Sequence, residues 1–353
     1  MDRIENVRSL LSEYHLDGIL IIGAPNRRYV TRFTGTAGAA LITEKEALFI
    51  TDFRYKDQAK EQVSGYEIVI QTGTIYEEIA KRVEKLGIKK LGFEHSLSYG
   101  DYERLAKLLA STTLVPTDRL VEKLRIIKDE TEIEIMQEAA TIADKAFEHI
   151  LTYIRPGVTE KEVANELEFF MRREGADSAS FDIIVASGVR SALPHGVASE
   201  KKIENGELVT LDFGAYYKGY CSDITRTVAV GSIEPKLKEI YEIVLEAQKR
   251  GVAGIKAGMT GKQADALTRD FIAEKGYGDY FGHSTGHGVG MDIHEEPRLS
   301  KTSATILKPG MVVTVEPGIY ISGLGGVRIE DEILITADGN RSLTKAPKEL
   351  IIL

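Results

Sequence analysis

Apolar and polar positions follow two different periods along the first third of the chain. Residues 2–16 place apolar side chains at helical spacing, and residues 18–22 form an apolar run with the length of a buried strand, which ends at Gly23, Pro25 and Asn26. Further strands are predicted at residues 39–42, 47–50 and 67–70, and further helices at residues 55–63, 75–86 and 99–109. This alternation predicts a small α/β domain.

A proline-bearing break at Val115 to Asp118 separates this region from the rest of the chain. A charged segment with little Gly or Pro follows from Leu120 to Arg155, and it predicts one long helix. Because 353 residues exceed the size at which a single core usually stops growing, two domains are expected. We place the boundary within Pro116 to Lys123, which gives domains at residues 1–119 and 120–353.

The second domain contains an internal repeat. The segment that begins at Ile154 resembles the one that begins at Ile255, with glycine, threonine and lysine at the same spacing. In both segments the threonine suits the N-cap of a following helix. The tripeptide His-Gly-Val also recurs, at His195 and at His287.

Two strand-rich segments extend the repeat. Residues 205–220 align with residues 309–324, and the alignment places Asp212 on Glu316. Each half then has paired helices and a hairpin that carries carboxylates. Two such halves are expected to close around a central site.

The first hairpin, residues 208–230, is apolar and carries Asp212 and Asp223. Two registers are possible: in one, Asp212 faces Asp223, and in the other, Asp212 faces Thr225 and lies diagonal to Asp223. Either register puts both carboxylates on one face, roughly 4.5–8 Å apart. Like charges this close in an apolar setting hold protons unless a cation lies between them.

A second carboxylate pair and a histidine follow later in the chain. Glu316 and Glu330 lie in strand-like runs joined by a glycine-rich loop, and His287 precedes them in a segment whose glycines disfavour a helix. A solvent-facing salt bridge to Arg328 is the alternative for Glu330. Of His283 and His287, which are four residues apart, we expect one to be a ligand.

Four carboxylates and one imidazole on apolar strands indicate bound cations, because burying an unpaired carboxylate is costly. An oxygen-rich ligand set with one imidazole favours Mn²⁺, Fe²⁺, Co²⁺ or Mg²⁺ over a thiolate-type zinc site. We expect Mn²⁺, with Co²⁺, Fe²⁺ or Zn²⁺ as alternatives. Two such ions about 3.5–4 Å apart lower the pKa of a water and polarise a carbonyl, which is a recurring arrangement for amide hydrolysis. The residues therefore predict two divalent metal ions and a metallohydrolase.

With these motifs, residues 120–353 resemble the catalytic domain of the creatinase, methionine aminopeptidase and prolidase superfamily, which has the pita-bread fold. The amino-terminal part is similar to the smaller domain of prolidases and aminopeptidases P. The resemblance implies the α+β class: a duplicated antiparallel sheet with pseudo-twofold symmetry, covered by helices and preceded by a smaller α/β domain. It also implies a homodimer.

The resemblance further implies a role for each ligand. The metal ligands would be Asp212, Asp223, His287, Glu316 and Glu330. Asp223 and Glu330 would bridge both ions, and Asp212 would bind one of them. His287 and Glu316 would bind the other ion.

The same resemblance implies catalytic and substrate-binding residues. Glu316 would accept the proton of the attacking water, His195 would lie near the scissile amide, and His294 would stabilise the tetrahedral intermediate. The remaining substrate-binding residues would be Phe181, Arg298 and Arg328, of which Phe181 and Arg298 would line the pocket for proline.

Charge and cysteine content narrow the function. The net charge of −9 without a Lys/Arg cluster argues against a nucleic-acid partner. One cysteine, Cys221, leaves no intramolecular disulfide, which favours a reducing cytoplasm. Neither a signal peptide nor an apolar run of about 20 residues is recognisable, so we expect no membrane segment and a cytoplasmic location.

The predicted activity is dinuclear-metal-dependent hydrolysis of the Xaa-Pro bond at the amino terminus of dipeptides or short peptides, of the prolidase type. Short proline-containing peptides would be the partners. Aminopeptidase P activity on longer peptides is the alternative. An inactive pita-bread binding module or a creatinase is less favoured, because those branches lose or replace metal ligands and all five are present here.

Overall fold

Residues 2–353 are described by a computed structural model, whose backbone divides into an amino-terminal unit ending at Arg125 and a carboxyl-terminal unit, Ile126–Leu353. The domain limits of 1–119 and 120–353 stay a prediction. Within residues 2–353, no helix combines the length and the apolar character that crossing a bilayer requires.

The amino-terminal unit is built on a six-stranded mixed sheet of order β4-β3-β2-β1-β5-β6. Its strands are β1 (Gly18–Ile21), β2 (Ala39–Thr43), β3 (Ala47–Thr51), β4 (Glu67–Ile70), β5 (Lys90–Glu94) and β6 (Thr113–Thr117). Its helices are α1 (Arg3–Glu13), α2 (Ala24–Thr31), α3 (Lys56–Gln62), α4 (Ile75–Lys85), α5 (Tyr99–Leu108) and α6 (Leu120–Arg125). The β1-β2 and β2-β3 pairs are antiparallel and the other pairs are parallel, so the predicted α/β character is confirmed.

Helix α2 lies where the sequence predicts only the end of a strand. Pro25 is tolerated in its first turn, where a backbone N–H has no partner within the helix. A distant residue fixes the chain just before the helix: the carboxylate of Glu94, at the end of β5, accepts hydrogen bonds from the N–H groups of Ile22 at 2.6 Å and Gly23 at 2.7 Å. A partner about 70 residues away leaves no local sequence signal.

Two predictions near the boundary are wrong. Pro116 lies within β6, an edge strand of the sheet where a missing N–H is tolerated, and not in a break. The single helix predicted over Leu120 to Arg155 is two helices, α6 and α7 (Glu130–Ile150). The second begins afresh because Asp129 and Glu132 form a capping box.

The carboxyl-terminal unit contains four helices and several short antiparallel sheets. The helices are α7, α8 (Glu160–Arg173), α9 (Pro235–Gly254) and α10 (Gly261–Glu274). The strands of the first half are β7 (Ser178–Ala179), β8 (Ile184–Ser187), β9 (Glu207–Phe213), β10 (Ala215–Tyr217), β11 (Tyr220–Cys221) and β12 (Ile224–Val230). Those of the second half are β13 (Gly286–Gly288), β14 (Glu295–Leu299), β15 (Val312–Val315), β16 (Gly318–Ile321), β17 (Gly325–Arg328), β18 (Asp331–Ile335) and β19 (Asn340–Ser342).

The predicted repeat is present in the backbone hydrogen bonds of this unit. In the turn before α8, the N–H of Gly157 donates to the carbonyl of Ile203 at 2.8 Å. In the turn before α10, the N–H of Gly258 donates to the carbonyl of Leu307 at 2.9 Å. Both helices then begin with a threonine capping box. In both halves, therefore, the turn before the second helix is hydrogen-bonded to a segment that comes later in the same half.

The recurring His-Gly-Val tripeptide has no structural counterpart in this repeat. His287 lies on β13, which pairs with β15. The strand in that place in the first half is β8, which pairs with β9. His195 comes later, in a turn after the short 3-10 helix Gly188–Ala192. Three matching letters are too few to indicate equivalent positions.

Helices cover the sheets of both halves. Helices α7 and α8 pack on the first-half strands through a core that includes Phe147, Leu167 and Leu211. In the second core, Val244 of α9 and Val327 of β17 are both fully buried. The strands that carry the candidate site are thus fixed from one side by helices.

Candidate functional site

All ten residues predicted to form the site line one cavity of about 390 Å³ in the carboxyl-terminal unit. They are Phe181, His195, Asp212, Asp223, His287, His294, Arg298, Glu316, Arg328 and Glu330. The remaining lining residues are Ile184, Pro194, His283, Ser284 and Ile293. The structure therefore brings every predicted site residue to the same place.

Three of the four acidic residues lie between two consecutive strands of their hairpin, and the fourth, Asp212, lies near the end of a strand. Asp212 is the last residue but one of β9, and Asp223 lies between β11 and β12. Glu316 lies between β15 and β16, and Glu330 lies between β17 and β18. Asp223, Glu316 and Glu330 thus leave the strand ladder at the breaks, whereas Asp212 stays within it, and all four line the cavity.

The first hairpin adopts the second of the two predicted registers. Asp212 pairs with Thr225, which places Asp212 diagonal to Asp223 on the same face. Gly214 permits the close approach at the break, because a Cβ there would lie 1.8 Å from the carbonyl oxygen of Ser222. The two aspartates are therefore held side by side by the hairpin itself.

The five predicted ligands form two overlapping groups. Carboxylate oxygens of Asp212, Asp223 and Glu330 all lie within 4.8 Å of one another. The Nε2 of His287 lies 3.3 Å from an oxygen of Glu316 and 3.6 Å from an oxygen of Asp223. Asp223 thus stands between the two groups.

Two of the buried carboxylates each have one oxygen without a hydrogen-bond donor in the described part of the chain. Among residues 2–353, nothing donates a hydrogen bond to Oδ1 of Asp212 or to Oε1 of Glu330. Burial, followed by repulsion from neighbouring acids, raises the pKa of Asp223 and of Glu330 well above the usual range. Burial also raises the pKa of Glu316 to about 8. Free oxygens crowded in this way fit a divalent cation.

The two histidines of the site differ in their free nitrogens. His287 has Nδ1 at 3.0 Å from the carbonyl of Gly288, so its Nε2 is the nitrogen that faces the acids. His283 uses both nitrogens, with Nδ1 at 2.8 Å from the carbonyl of Ser284 and Nε2 at 2.8 Å from the hydroxyl of Tyr320. Burial lowers the pKa of His287 to about 3 and that of His283 to about 4, so both imidazoles are neutral. This geometry favours His287 as the single imidazole ligand.

Arg328 links the two hairpins. Its guanidinium donates to Asp212, to the hydroxyl of Tyr320 at 2.8 Å and to Oγ1 of Thr225 at 3.2 Å. Thr225 in turn donates to Glu330 at 2.6 Å. The salt bridge considered for Glu330 is therefore made by Asp212 instead. One guanidinium offsets one of the four acids and leaves the site short of positive charge.

Tyr320 and Thr225 contact the site residues but are not among the ten predicted ones. The sequence does contain a feature that points to Tyr320: it matches Tyr216 in the hairpin repeat, and it therefore lies on a strand next to an acid. The sequence also points to Thr225, because it is two residues after Asp223 and therefore lies on the same face of the strand.

The other four predicted residues surround the ligands. The ring of His294 packs edge-on against that of His287 at 4.4 Å, and burial together with Arg298 lowers the pKa of His294. Arg298, on β14, is paired with His287 across the β13-β14 ladder. Phe181 is half-buried between β7 and β8, and His195 is exposed to solvent on its turn. The cavity therefore has an acidic floor and imidazole, guanidinium and aromatic walls.

Comparison with protein families gives two matches that together span most of the chain. Residues 134–337 match the model described as Metallopeptidase family M24. Residues 3–127 match the model described as Creatinase/Prolidase N-terminal domain.

Comparison with individual proteins gives relatives of full length. An Xaa-Pro dipeptidase of Pyrococcus horikoshii is 47% identical over 352 residues, which are 99% of this chain and 99% of that protein. The solved structure of an Xaa-Pro dipeptidase from Bacillus anthracis superposes with a TM-score of 0.99 at 65% identity and covers 100% of this chain and 99% of that one. An X-Pro aminopeptidase from Thermotoga maritima gives a TM-score of 0.93 at 41% identity and full coverage of both chains. The predicted α+β class and pita-bread fold are confirmed.

Proposed function

The chain belongs to metallopeptidase family M24, and from this membership we propose that it hydrolyses the Xaa-Pro bond of dipeptides, the activity of a prolidase. Its likeness to Xaa-Pro dipeptidases over nearly the whole chain supports this substrate. The observation that carries the proposal is the convergence of five ligand-type side chains, from three separate segments, around carboxylate oxygens that have no hydrogen-bond donor in the described chain.

We assign two divalent cations to this site, with Mn²⁺ first and Co²⁺, Fe²⁺ or Zn²⁺ as alternatives. Asp212, Asp223 and Glu330 would hold one ion, and His287 and Glu316 would hold the other, with Asp223 and Glu330 shared between the two. The position of Asp223 between the two groups of ligands supports a shared role. Bound cations would polarise the scissile carbonyl and lower the pKa of the attacking water.

Glu316 is the proposed proton acceptor. It lies at the break between β15 and β16, where Oγ1 of Thr314 donates to it at 3.1 Å. The hydrogen bond from Thr314 orients the carboxylate, so the proton would be taken at a fixed atom.

The walls of the cavity supply substrate contacts. His195 would lie near the scissile amide and His294 would stabilise the tetrahedral intermediate. Phe181 and Arg298 would line the pocket for the proline ring, and Arg328 would order Asp212. A bond to proline lacks the N–H that many peptidases use, so recognition by ring packing and by the carbonyl suits this substrate.

The test compares three substrates on protein loaded with Mn²⁺: an Xaa-Pro dipeptide, an Xaa-Pro-Xaa tripeptide and an Xaa-Ala dipeptide. We expect the highest kcat/KM for the first and no turnover of the third. Replacement of an exposed acid on α7, Glu138→Gln, should leave the rates unchanged and serves as the control. Failure to cleave any proline peptide in the presence of Mn²⁺ or Co²⁺ would refute the proposal.

Aminopeptidase P activity on longer peptides is the second candidate. The full-length likeness to the X-Pro aminopeptidase of Thermotoga maritima favours it. A tripeptide rate above the dipeptide rate would select this alternative and reject the first.

We further propose a homodimer and a cytoplasmic location. The resemblance to prolidases supports the dimer, and a single cysteine, buried and unpaired, supports a reducing compartment. Sedimentation equilibrium would test the dimer, and cell fractionation would test the location.

A further inference from the structure

One buried acid outside the cavity makes an unusual number of hydrogen bonds. Glu160, the first residue of α8, is fully buried. Its Oε1 accepts from the N–H of Ser187 at 2.7 Å and from the hydroxyl of Ser187 at 2.9 Å. Its Oε2 accepts from the N–H of Ser199 at 3.1 Å and from the hydroxyl of Ser199 at 2.6 Å. The Nε of Arg190 reaches both oxygens, at 3.3 and 3.0 Å.

These donors belong to one stretch of chain, residues 187–199, which we name the His195 segment. Ser187 ends β8, Arg190 lies in the short 3-10 helix, and Ser199 follows the turn. Glu160 therefore accepts hydrogen bonds from both ends and from the middle of the His195 segment. Between these points the segment carries Pro194 and His195 into the wall of the cavity.

His195 depends on this grip because its own side chain is not held by burial. The residue is exposed, and the nearest backbone bonds are local: the N–H of Val197 donates to His195 at 2.9 Å and that of Gly196 donates to Leu193 at 3.0 Å. Arg190 adds a bond from Nη2 to the carbonyl of Val197 at 2.8 Å. The position of the imidazole is therefore set by the backbone of the segment.

A simpler role for Glu160 would be to stabilise the start of α8, where an acidic side chain interacts favourably with the helix dipole. That role is already filled. Thr159 and Glu162 form a reciprocal capping box that satisfies the free N–H groups. The corresponding helix start in the second half carries Gly261 instead, so the repeated architecture does not need an acid there.

We propose that Glu160 is a positioning residue that fixes the His195 segment and thereby sets where His195 meets the substrate. The grip on the segment stands on the hydrogen bonds alone, whereas its effect on catalysis rests on the proposed function of His195. The two parts are therefore tested by separate measurements.

The first measurement is hydrogen exchange of the backbone in the metal-loaded protein, read by mass spectrometry on peptides that cover residues 187–199. Glu160→Gln keeps the size of the side chain but replaces one acceptor oxygen with a donor NH₂. We expect exchange in the segment to accelerate about tenfold, since a buried donor loses its partner. Glu162→Gln weakens the same helix start and is the matched control, with no acceleration in the segment. Unchanged exchange in Glu160→Gln would overturn the proposal, whatever the substrate of the protein.

The second measurement is a double-mutant cycle on kcat/KM with His195→Ala. Glu160→Gln alone should lower kcat/KM by roughly 10- to 100-fold, because a misplaced catalytic side chain costs that much. In the His195→Ala background the same change should cost almost nothing, since the side chain that it positions is gone. Metal content should stay constant in all four proteins. Independent, multiplicative losses would disprove action through His195.

A milder variant covers the case in which Glu160→Gln does not fold. Ser199→Ala removes the donor of the 2.6 Å bond and leaves the carboxylate in place. It should show the same faster exchange and the same non-additivity with His195→Ala, on a smaller scale. Normal exchange in this variant would count against the proposal as directly as it would in the first.

Discussion

The two halves of the carboxyl-terminal unit start their second helix in the same way. The N–H of Glu160 donates to Lys201 at 3.0 Å, and the N–H of Gly261 donates to Thr305 at 2.9 Å. One side chain is a buried carboxylate, and the other is a hydrogen atom, because a Cβ at Gly261 would lie 2.1 Å from the carbonyl oxygen of Arg298. Backbone hydrogen bonds preserve the repeat, so the side chains at equivalent positions are free to diverge.

The hairpins diverge in the same manner. The first half contributes the aspartates Asp212 and Asp223, while the second contributes Glu316, Glu330 and the imidazole of His287. Neither half offers a complete ligand set. The candidate metal site exists only where the two halves meet, and changes to either half should therefore disable it.

The largest expected effect comes from the acids that we assign to both ions. Asp223→Asn in the first half and Glu330→Gln in the second should each lower kcat/KM by more than about 100-fold, the upper end for residues that merely support a metal ligand. Bound metal, measured by plasma mass spectrometry, should fall in both variants. A loss of bound metal in only one of the two variants would show that the two halves do not contribute equally to the site.

Next in size is the contact that joins the hairpins. Arg328→Lys keeps the charge but cannot reach Asp212, Tyr320 and Thr225 together, so kcat/KM should fall roughly 10- to 100-fold. The exposed Arg250→Lys is the matched control and should match the parent protein. Full activity in Arg328→Lys would show that the link between the halves is dispensable.

A change at Gly261 tests the comparison through stability. Gly261→Ala forces a methyl group against the carbonyl of Arg298 and should lower the free energy of unfolding by about 1–3 kcal/mol. Gly282→Ala is the control, because its added methyl meets no atom of the described chain within 4 Å beyond its own neighbours. Denaturant unfolding of both variants measures the difference. Equal stabilities would contradict the close approach that we infer for the second half.

A further expected effect is a dependence of stability on pH in metal-free protein. Burial raises the pKa of Glu316 and of Glu332 to about 8, above the 4.5 of an unfolded chain, so the folded state holds extra protons below pH 8. Stability should therefore rise as pH falls from about 8 to 6.5, by up to about 1.4 kcal/mol per unit for each group. Below 6.5 the rise should become shallower, because the unfolded histidines take up protons while His283 and His287 stay neutral, which offsets part of the contribution of the acids.

Protein loaded with Mn²⁺ is the control for this trend. Its ligands are deprotonated, so its melting temperature should fall over the same interval as protons compete for the site. Thermal melts with and without metal, recorded between pH 6.5 and 8, give the slope of melting temperature against pH for each form. Parallel slopes would show that protons and cations do not share these acids.

Much of the site could be predicted because strands impose a strict geometry. Alternation in the hairpins puts Asp212 and Asp223 on one face in either register, and the repeat places Glu316 in the position of Asp212. These arguments need only local spacing. They account for the placement of the acids, whereas the prediction of Phe181, His195, His294, Arg298 and Arg328 came from the family resemblance.

The rest depends on contacts between residues that are distant in sequence. Glu94 binds the backbone before α2 from about 70 residues away, and Glu160 binds Ser199 from 39 residues away. No local sequence pattern predicts either hydrogen bond. The break between α6 and α7 was missed for a different reason. Acidic residues occur both within helices and at helix caps, so the sequence around Asp129 does not distinguish a capping box from the interior of one long helix.

The central claim is that cations hold the acids of the two halves together, and the metal content of purified protein tests it most directly. After saturation with Mn²⁺ and gel filtration, plasma mass spectrometry should find about two ions per parent chain and a clear loss in Asp223→Asn. Equal metal content in the two proteins, or full peptidase activity in a parent chain stripped of divalent ions, would contradict the account.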